Sequence, residues 1–331
     1  MTGRRVRFAM IAATGLIAFS QAPLADMGKA PVGPNGRYLS FEGGYLHQDG
    51  PDVTGHGIVV IGGGPEQDVL VSPDDGFFAG GTVGFDTGTP YLDKFHRVEF
   101  FLLYGKADDS RSDTSPPAAD LTLKTVDGTI LVTDGLSAKT KVERESWEFG
   151  ARLEHDQAVN PTTTVTWSLA PFVRNLEEET HTAVSACCEL QRSGKIDAWL
   201  YGISLSVEPE RWLTPQLALV GRLGAGIYGY DADGKFRSSS DLDPDGFAAS
   251  VSDGDSGFGF RGLLGVGLKY KLSPTSNIEG FAEADYFSKV PTAHLSSNSS
   301  AGGYESHVQD DDLWDVRTGL RLTFGFGPAP N

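Results

Sequence analysis

The sequence predicts an all-β fold, a transmembrane antiparallel up-and-down β-barrel of ten strands, on the basis of three observations. Apolar and polar residues alternate along ten separate stretches of the chain. The segments between those stretches run long, short, long, short in chain order. Beyond residue 25, no segment approaches the run of about 18 apolar residues that a membrane-spanning helix needs. Strands are therefore the elements expected to cross a membrane.

Residues 1–25 predict a signal peptide. Arg4, Arg5 and Arg7 precede an apolar run over 8–19, and small residues follow that run. A membrane anchor is the alternative, but the run is well short of the roughly 20 residues that span a bilayer. Removing 1–25 takes three positive charges from a chain of formal charge −17, which leaves about −20. Such an acidic chain lacks the basic footprint of a nucleic-acid-binding protein, so no nucleic acid is expected as a partner.

Each alternating stretch fits a strand with two different faces, because successive side chains of a strand point to opposite sides. In the last stretch, the apolar positions from Val316 to Phe326 share one face, while Arg317 and Arg321 lie on the other. We expect the apolar face to contact lipid and the charged face to point inward. In lipid every backbone polar group must be paired, so the strands must close into a ring. The ten predicted strands are Tyr38–Leu46, Phe77–Asp86, His96–Gly105, Arg144–Glu154, Thr164–Arg174, Ile196–Val207, Gln216–Gly229, Phe258–Leu272, Asn277–Phe287 and Leu313–Phe326.

The connections between the predicted strands sort by length. The long connections are 47–76, 106–143, 175–195, 230–257 and 288–312, and the short ones are 87–95, 155–163, 208–215 and 273–276. An even number of strands, with long extracellular loops and short periplasmic turns, is typical of outer-membrane barrels. A large soluble β-sandwich shares the alternation. A sandwich does not explain why long and short connections alternate along the chain, or why one face of nearly every strand is charged.

Two of the long connections contain shorter strand-like pieces. Residues 56–71 and 121–133 both predict hairpins, the second with an Asp-Gly turn. Their arms are about five residues long, whereas a tilted spanning strand needs about nine to eleven. We therefore expect both hairpins above the membrane. If they crossed it, the strand count would rise to 12 or 14.

Aromatic residues concentrate near the ends of the predicted strands. Rings at these positions are typical of the girdles that barrels place at the two membrane interfaces. The predicted girdle residues are Tyr38, Tyr45, Tyr104, Trp147, Trp199, Tyr228, Tyr270, Tyr286, Trp314 and Phe326.

Two strings at the ends of the barrel carry a resemblance to a known class. RYLSFEGGYLHQD, at 37–49, resembles the first strand of exported bacterial barrels, and GLRLTFGF, at 319–326, resembles their C-terminal assembly signal. The chain is loosely similar to the Legionella-type major outer-membrane porin family. The resemblance implies a pore in the outer membrane of a Gram-negative bacterium. It also implies contact with lipid and lipopolysaccharide, and insertion by the barrel-assembly machinery.

The resemblance completes the expected organisation of the chain. A signal peptide over 1–25 is followed by an N-terminal periplasmic segment over 26–36 and the barrel with its loops over 37–326. A C-terminal tail over 327–331 follows Phe326, which departs from an assembly signal that closes on the terminal Phe.

Charged residues on the inward faces are the candidate pore lining. In a pore such side chains tune ion selectivity; alternatively they pair with one another and plug the lumen. About eight strands enclose a lumen that side chains fill, and 16–18 leave an open channel, so ten lie near the filled end. The candidates are Glu42, Arg97, Glu99, Glu148, Arg152, Arg174, Arg222, Arg261, Glu283, Arg317 and Arg321.

These observations leave two functions open. The first is a narrow passive pore for small solutes or ions. The second is a non-conducting, surface-exposed barrel whose acidic loops bind a partner or divalent cations. No enzyme is expected, because no Ser nucleophile elbow, phosphate-binding loop or HExxH motif occurs in the chain.

The acidic connection over 231–256 contains a candidate calcium site. Asp241, Asp243 and Asp245 have the spacing of the first three ligands of a calcium loop, and Gly246 follows at the turn. The bidentate Glu of such loops is replaced here by Ser252. A solvated acidic loop is the alternative, and no other cofactor is expected. Cys187 and Cys188 are adjacent in another long connection, where they predict an incidental or structural pair rather than a catalytic one.

Overall fold

The structure, a computed structural model, describes residues 36–50, 53–60, 67–71, 73–91, 95–114, 119–124, 130–133, 137–185, 189–240, 247–294 and 306–326. The predicted signal peptide, Cys187, Cys188 and the C-terminal tail lie outside the described residues. The described part of the chain contains no helix with the length and hydropathy needed to cross a bilayer.

The described residues form fourteen strands. They are β1 Arg37–Asp49, β2 Val53–Val60, β3 Gln67–Val71, β4 Asp75–Tyr91, β5 Phe95–Thr114, β6 Ala119–Lys124, β7 Ile130–Thr133, β8 Ser137–Asn160, β9 Thr163–Ser185, β10 Glu189–Trp212, β11 Leu217–Ser240, β12 Phe247–Ser273, β13 Ser276–His294 and β14 His307–Phe326. Ten of them close into a barrel in the order β1-β14-β13-β12-β11-β10-β9-β8-β5-β4. The predicted ten-stranded transmembrane barrel is thereby confirmed.

The ring closes between the first and last strands. β1 pairs with β14 along its whole length, from Arg37 opposite Phe326 to Asp49 opposite Trp314, and both ring neighbours of β1 run antiparallel to it. Closure leaves no open sheet edge at membrane depth, where an unpaired backbone group would find no water. The connections on the periplasmic side are short, with only 161–162, 213–216 and 274–275 between three of the strand pairs.

The two predicted hairpins form a separate four-stranded sheet that is not part of the barrel ring. Its strand order is β3-β2-β6-β7, and β2 joins the two hairpins by pairing with β6. The strand count of the barrel therefore stays at ten, as the short arms predicted.

The outer face of the barrel is apolar over the membrane-spanning part of the strands. Its exposed side chains include Leu205 and Ile227, at 64% and 67% exposure. Aromatic rings mark its extracellular border: Tyr104 contacts Phe77 with ring centroids 5.8 Å apart and Trp147 with centroids 4.4 Å apart. These rings occupy the membrane interface, as the girdle of such barrels does.

Two of the predicted girdle residues were assigned wrongly. Tyr38 and Tyr228 point into the barrel and are 8% and 2% exposed. Tyr38 lies on the same face of its strand as Ser40 and Glu42, which face the lumen. Its side chain therefore points inward even though it lies near the end of the strand.

The long connections are strands for much of their length, which corrects the prediction of loops over 175–195 and 230–257. β11 and β12 stay paired from Leu217 opposite Tyr270 up to Ser240 opposite Phe247. β8 starts at Ser137, ten residues beyond Trp147 in the girdle. At about 3.3 Å per residue and a tilt near 40°, the wall rises roughly 25 Å above the girdle.

Candidate functional site: the barrel interior and its extracellular end

The inward-facing charges pair with one another at three levels of the lumen. Nearest the periplasm, Arg97 donates to Glu154 at 2.5 Å and to Asp156 at 3.2 Å. Arg152 donates to Glu99 at 2.6 Å. Glu154 is one residue the sequence reading missed, although it continues the parity of Glu148 and Arg152.

The middle level joins neighbouring and next-neighbouring strands. Arg222 donates to Glu208 at 2.8 Å and to Glu279 at 2.6 Å. Arg321 donates to Glu42 at 2.7 Å, across the β1–β14 closure of the ring. The charges thus form a connected network on the lumen wall.

The upper level crosses the barrel. Arg174 Nη2 donates to Asp315 Oδ2 at 2.6 Å, and Gln48 donates to the other oxygen of Asp315 at 2.8 Å. Arg174 lies on β9 and Asp315 on β14, five places apart in a ring of ten strands. The two side chains therefore meet across the full diameter of the lumen, where Arg174 is 4% and Asp315 is 5% exposed.

A second contact at this level spans nearly as far. Arg261 on β12 donates to Glu148 on β8 at 2.8 Å and to Asp285 at 2.6 Å. Arg317 reaches Glu283 and Asp285, each at 3.2 Å. Every candidate pore-lining residue lies on the interior face, and at this height the pairing described here fills the lumen.

Aromatic rings pack beneath these guanidinium groups. Arg174 lies 4.5 Å from the ring centroid of Phe287, and Arg261 lies 4.8 Å from that of Phe172. Arg321 lies 4.7 Å from the centroid of Phe281. Such cation–π contacts hold the charges in place over a ring face. They also explain why the ninth predicted strand has apolar residues on both faces, since Phe281 and Phe287 face the lumen.

Above the ion pairs, the interior becomes an apolar core. All of its members are buried, and several are large, including Leu176, Leu200 and Phe236. The core residues are Val71, Val142, Phe172, Leu176, Ile196, Ala198, Leu200, Tyr228, Tyr230, Ala232, Phe236, Phe287, Val290, Ala293, Val308 and Leu313.

One ion pair is buried inside this core. Arg144 Nε donates to Glu178 Oε2 at 3.1 Å, and the two residues are 1% and 0% exposed. Glu178 also accepts from the Thr292 hydroxyl and the Ala293 amide, both at 3.0 Å. Because Glu178 lies on β9 and Thr292 on β13, these bonds again span the lumen. Glu178 lies on the same inward face as Arg174. The alternation therefore pointed to it, but the predicted strand ended at Arg174.

The extracellular end of β13 turns inward to make these contacts. β12 pairs with β13 only from Arg261 to Ser273, and the β13–β14 register shifts between Phe287 and Val290. Lys289 sits in that bulge with φ of 57°, a left-handed conformation that sharpens a bend. We call 290–294 and 307–312, which follow the bend, the inner hairpin.

The inner hairpin is also tied to the adjacent strands β12 and β11. The Val308 amide donates to Asp253 on β12 at 2.9 Å, and Tyr230 on β11 donates to Asp310 at 2.5 Å. Burial, followed by the nearby Asp255, raises the pKa of Asp310. The inner hairpin thus covers the lumen from inside the wall.

Below the crossing contacts lies a cavity of about 220 Å³. It is lined by every candidate pore-lining residue except Arg174, together with hydroxyls such as Ser168 and Ser206. The cavity therefore belongs to the membrane-level, periplasmic half of the lumen.

The candidate calcium ligands Asp241, Asp243 and Asp245 lie outside the described residues. The described strands on either side of them, β11 and β12, are paired up to Ser240 and Phe247. Within the described ranges, no group of three or more His, Cys, Asp or Glu converges as metal ligands.

No family model and no curated protein matches the chain, so the resemblance to the Legionella-type porin family finds no support there. Solved structures of bacterial outer-membrane barrels do match. The outer membrane protease OmpT of Escherichia coli has 8% identity and a TM-score of 0.47, over 88% of this chain and 97% of that one. A FadL homologue of Pseudomonas aeruginosa has 10% identity and a TM-score of 0.24, over 87% and 90%. Ail, the attachment invasion locus protein of Yersinia pestis, has 9% identity and a TM-score of 0.20, over 88% and 99%.

Their names describe a protease, a homologue of FadL and an attachment protein. A fold by itself does not determine function, so the function of this chain must be argued from its own side chains.

Proposed function

We propose that this protein is a closed, surface-exposed barrel of the bacterial outer membrane that works by binding at its extracellular end. This is the second of the two functions that the sequence leaves open. The observation that carries it is the Arg174–Asp315 contact, which joins opposite walls of the lumen at 2.6 Å.

The packing above that contact supports closure. The apolar core and the buried Arg144–Glu178 pair occupy the interior over the extracellular half of the wall. Ions would have to cross this packed apolar region, where burying an unpaired charge is strongly unfavourable. Conduction therefore requires the inner hairpin to move.

The height of the extracellular wall supports a binding role. Strands that rise roughly 25 Å above the girdle present far more surface than a pore needs. Two of the acids described at this end hold the inner hairpin in place: Asp310 accepts from Tyr230, and Asp253 accepts from the Val308 amide. Exposure on the cell surface would also place the barrel among lipopolysaccharide, after insertion by the barrel-assembly machinery.

A passive pore is the second candidate, because the cavity of about 220 Å³ is lined by charges of both signs. In that role Glu42, Glu99 and Arg152 would face the permeating solute. The pore would open only in a second state, in which the inner hairpin leaves the lumen.

Single-channel current in a planar bilayer separates the two functions. The wild-type barrel, shown to be folded by its heat-dependent gel shift, is expected to give no unitary steps. A variant with R174A/D315A and a Gly-Ser linker in place of 289–312 is the positive control, because it removes the Arg174–Asp315 pair and the whole inner hairpin. Stable steps from the wild type would overturn closure and favour the pore.

A further inference from the structure

A hollow of about 530 Å³ lies at the extracellular end of the barrel, over strands β8 to β12. No acid is among its described lining residues, although the chain holds 44 acids and 27 Lys and Arg. We call it the basic groove, and it is lined by Lys139, Lys141, His181, Thr182, Ala183, Gln191, Arg192, Ser193, Arg237, Ser238, Ser239 and Ser250.

The strand register sets the cationic side chains side by side. Lys141 pairs with His181 on the next strand, His181 with Ser193, and Ser193 with Arg237. These positions are at least partly exposed and alternate with buried ones, so their side chains point outward. At about 4.8 Å between strands, Lys141 and Arg237 are roughly 14 Å apart. The row can therefore contact several negative groups of one extended molecule.

The wall between the groove and the membrane carries the opposite charge. Two of its lysines are each shared by two acids: Lys106 contacts Glu143 and Glu145, and Lys195 contacts Glu177 and Glu179. We call this region the acidic belt; its members are Lys106, Asp108, Glu143, Glu145, Glu177, Glu179, Lys195, Asp197, Asp233 and Lys235.

The belt changes what the groove can bind. Two groove residues reach the belt: Lys141 donates to Glu143 at 2.8 Å, and the His181 ring lies 4.0 Å from Glu179. A cleft lined by one sign of charge concentrates counter-ions of the other sign. The acids below it repel the same counter-ions, so the attraction is confined to the groove.

The height of the groove decides the source of its ligand. Lys141 and Lys139 lie six and eight residues beyond Trp147 in the girdle, which corresponds to roughly 15–20 Å. Lipid phosphates lie near the girdle itself, below the acidic belt. The groove therefore faces molecules that arrive from outside rather than the head groups of its own membrane.

The lining chemistry selects an anionic polymer with many oxygens. Lys and Arg make charge-assisted hydrogen bonds to sulfate, phosphate or carboxylate. The hydroxyls of Ser193, Ser239 and Ser250 and the amide of Gln191 can donate to and accept from sugar hydroxyls. We propose that the basic groove binds an extracellular anionic polysaccharide, of the sulfated or uronic-acid type. This inference rests on the proposed function, since it names the partner of the extracellular end.

The test measures binding of a heparin hexasaccharide to the full chain in phospholipid nanodiscs by calorimetry. The wild type is expected to bind, with affinity that falls as salt rises. K139Q/R237Q should weaken binding at least tenfold. K106Q/K195Q removes as many positive charges from the acidic belt and should change the affinity less than twofold. All four side chains face solvent, and the heat-dependent gel shift checks that each variant is folded.

Four results would overturn the proposal. One is a folded wild type that does not bind the hexasaccharide. Another is an equal loss of affinity in the two double variants, which would indicate an effect of overall charge. The third is displacement of the hexasaccharide by lipopolysaccharide in the same nanodisc. The fourth is stronger binding of a single-stranded DNA of equal charge. Closure of the lumen is tested separately by the current measurement, so failure of the groove proposal can be distinguished from failure of closure.

Discussion

The same strands reverse their polarity where they leave the membrane. On β10, Ile203 and Leu205 point outward within the membrane, at 42% and 64% exposure, while Ser204 and Ser206 face the lumen. A few residues nearer the extracellular tip, Ile196 is fully buried and faces inward. Around it, Lys195 and Asp197 face solvent. One protein thus has an ionic interior in lipid and an apolar interior in water.

The comparison shows that the solvent outside the wall decides which face is apolar. In lipid the outer face must be apolar, and the lumen can hold paired charges. In water apolar area gains free energy only by leaving the surface, so the apolar residues move inside. In the membrane half, ion pairs therefore occupy the interior of the barrel. In the extracellular half, apolar side chains occupy it, as in a soluble β-protein.

The largest expected effect comes from breaking the ion pair inside the apolar half. Glu178→Leu leaves the Arg144 guanidinium buried without its carboxylate, which should cost about 3–5 kcal/mol. Hydrogen exchange of the folded barrel should show lost protection in β8, β9 and β13 above the girdle. The membrane half should keep its protection.

The double variant R144M/E178L is the control for that prediction. It removes both charges and fills the space with apolar groups, so it should be more stable than E178L. It should stay below the wild type, because the Thr292 hydroxyl and the Ala293 amide lose the acceptor that Glu178 supplied. If E178L alone leaves stability unchanged, the Arg144–Glu178 pair is not buried away from water. The extracellular half would then not have the apolar interior that distinguishes it from the membrane half.

An effect of intermediate size is expected from two leucines on β10, one in each half of the barrel. Leu200 is 1% exposed in the apolar core and Leu205 is 64% exposed on the lipid face. Leu200→Ala should cost about 2–5 kcal/mol because it leaves a cavity. Leu205→Ala should cost less, about 1–2 kcal/mol, because lipid chains fill the space and only the transfer of the removed carbons from water to lipid is lost. Urea unfolding from lipid vesicles measures both. Equal costs would contradict the assignment of the two faces.

The smallest effect belongs to the acidic belt. Hydrogen bonds from Lys106 and then Lys141 lower the pKa of Glu143 to about 2. A depressed pKa stabilises the fold above the ordinary Glu value of about 4.5, and this contribution is lost as the pH falls toward about 2. Because both partners are exposed, the gain is below about 1 kcal/mol.

The measurement is the difference in thermal midpoint between wild type and Glu143→Gln. The wild type should be slightly more stable at pH 6, and the difference should vanish at pH 2. A difference that grows as the pH falls would show that Glu143 is not held as an ion by its lysines.

The sequence predicted those parts of the fold that depend on the alternation of apolar and polar residues along each strand. The ten strand cores, the short periplasmic turns and the inward parity of Arg97, Glu148 and Arg261 all follow from alternation. The sequence predicts loops for the extracellular halves of β9 to β12, because their outward positions carry charges in place of lipid-facing residues. Alternation continues there with the polarity exchanged: on β11, Ala232 and Phe236 are buried, while Asp233 and Lys235 are exposed.

The contacts that close the lumen could not be predicted from the sequence. Arg174 and Asp315 are 141 positions apart, and parity says only that both point inward. Which inward charges meet depends on the stagger of ten strands around the ring. It also depends on the bulge at Lys289, which sends the inner hairpin across the barrel.

The sequence by itself determined the ring, its strand count and the two-faced character of every spanning strand, because each depends on local alternation and on the need to pair every backbone group in lipid. Tertiary structure decided which charges pair across the lumen, that an apolar core stands above them, and that the cations of the basic groove form one surface. Those features join residues from distant strands, and their positions are fixed only when the ring closes.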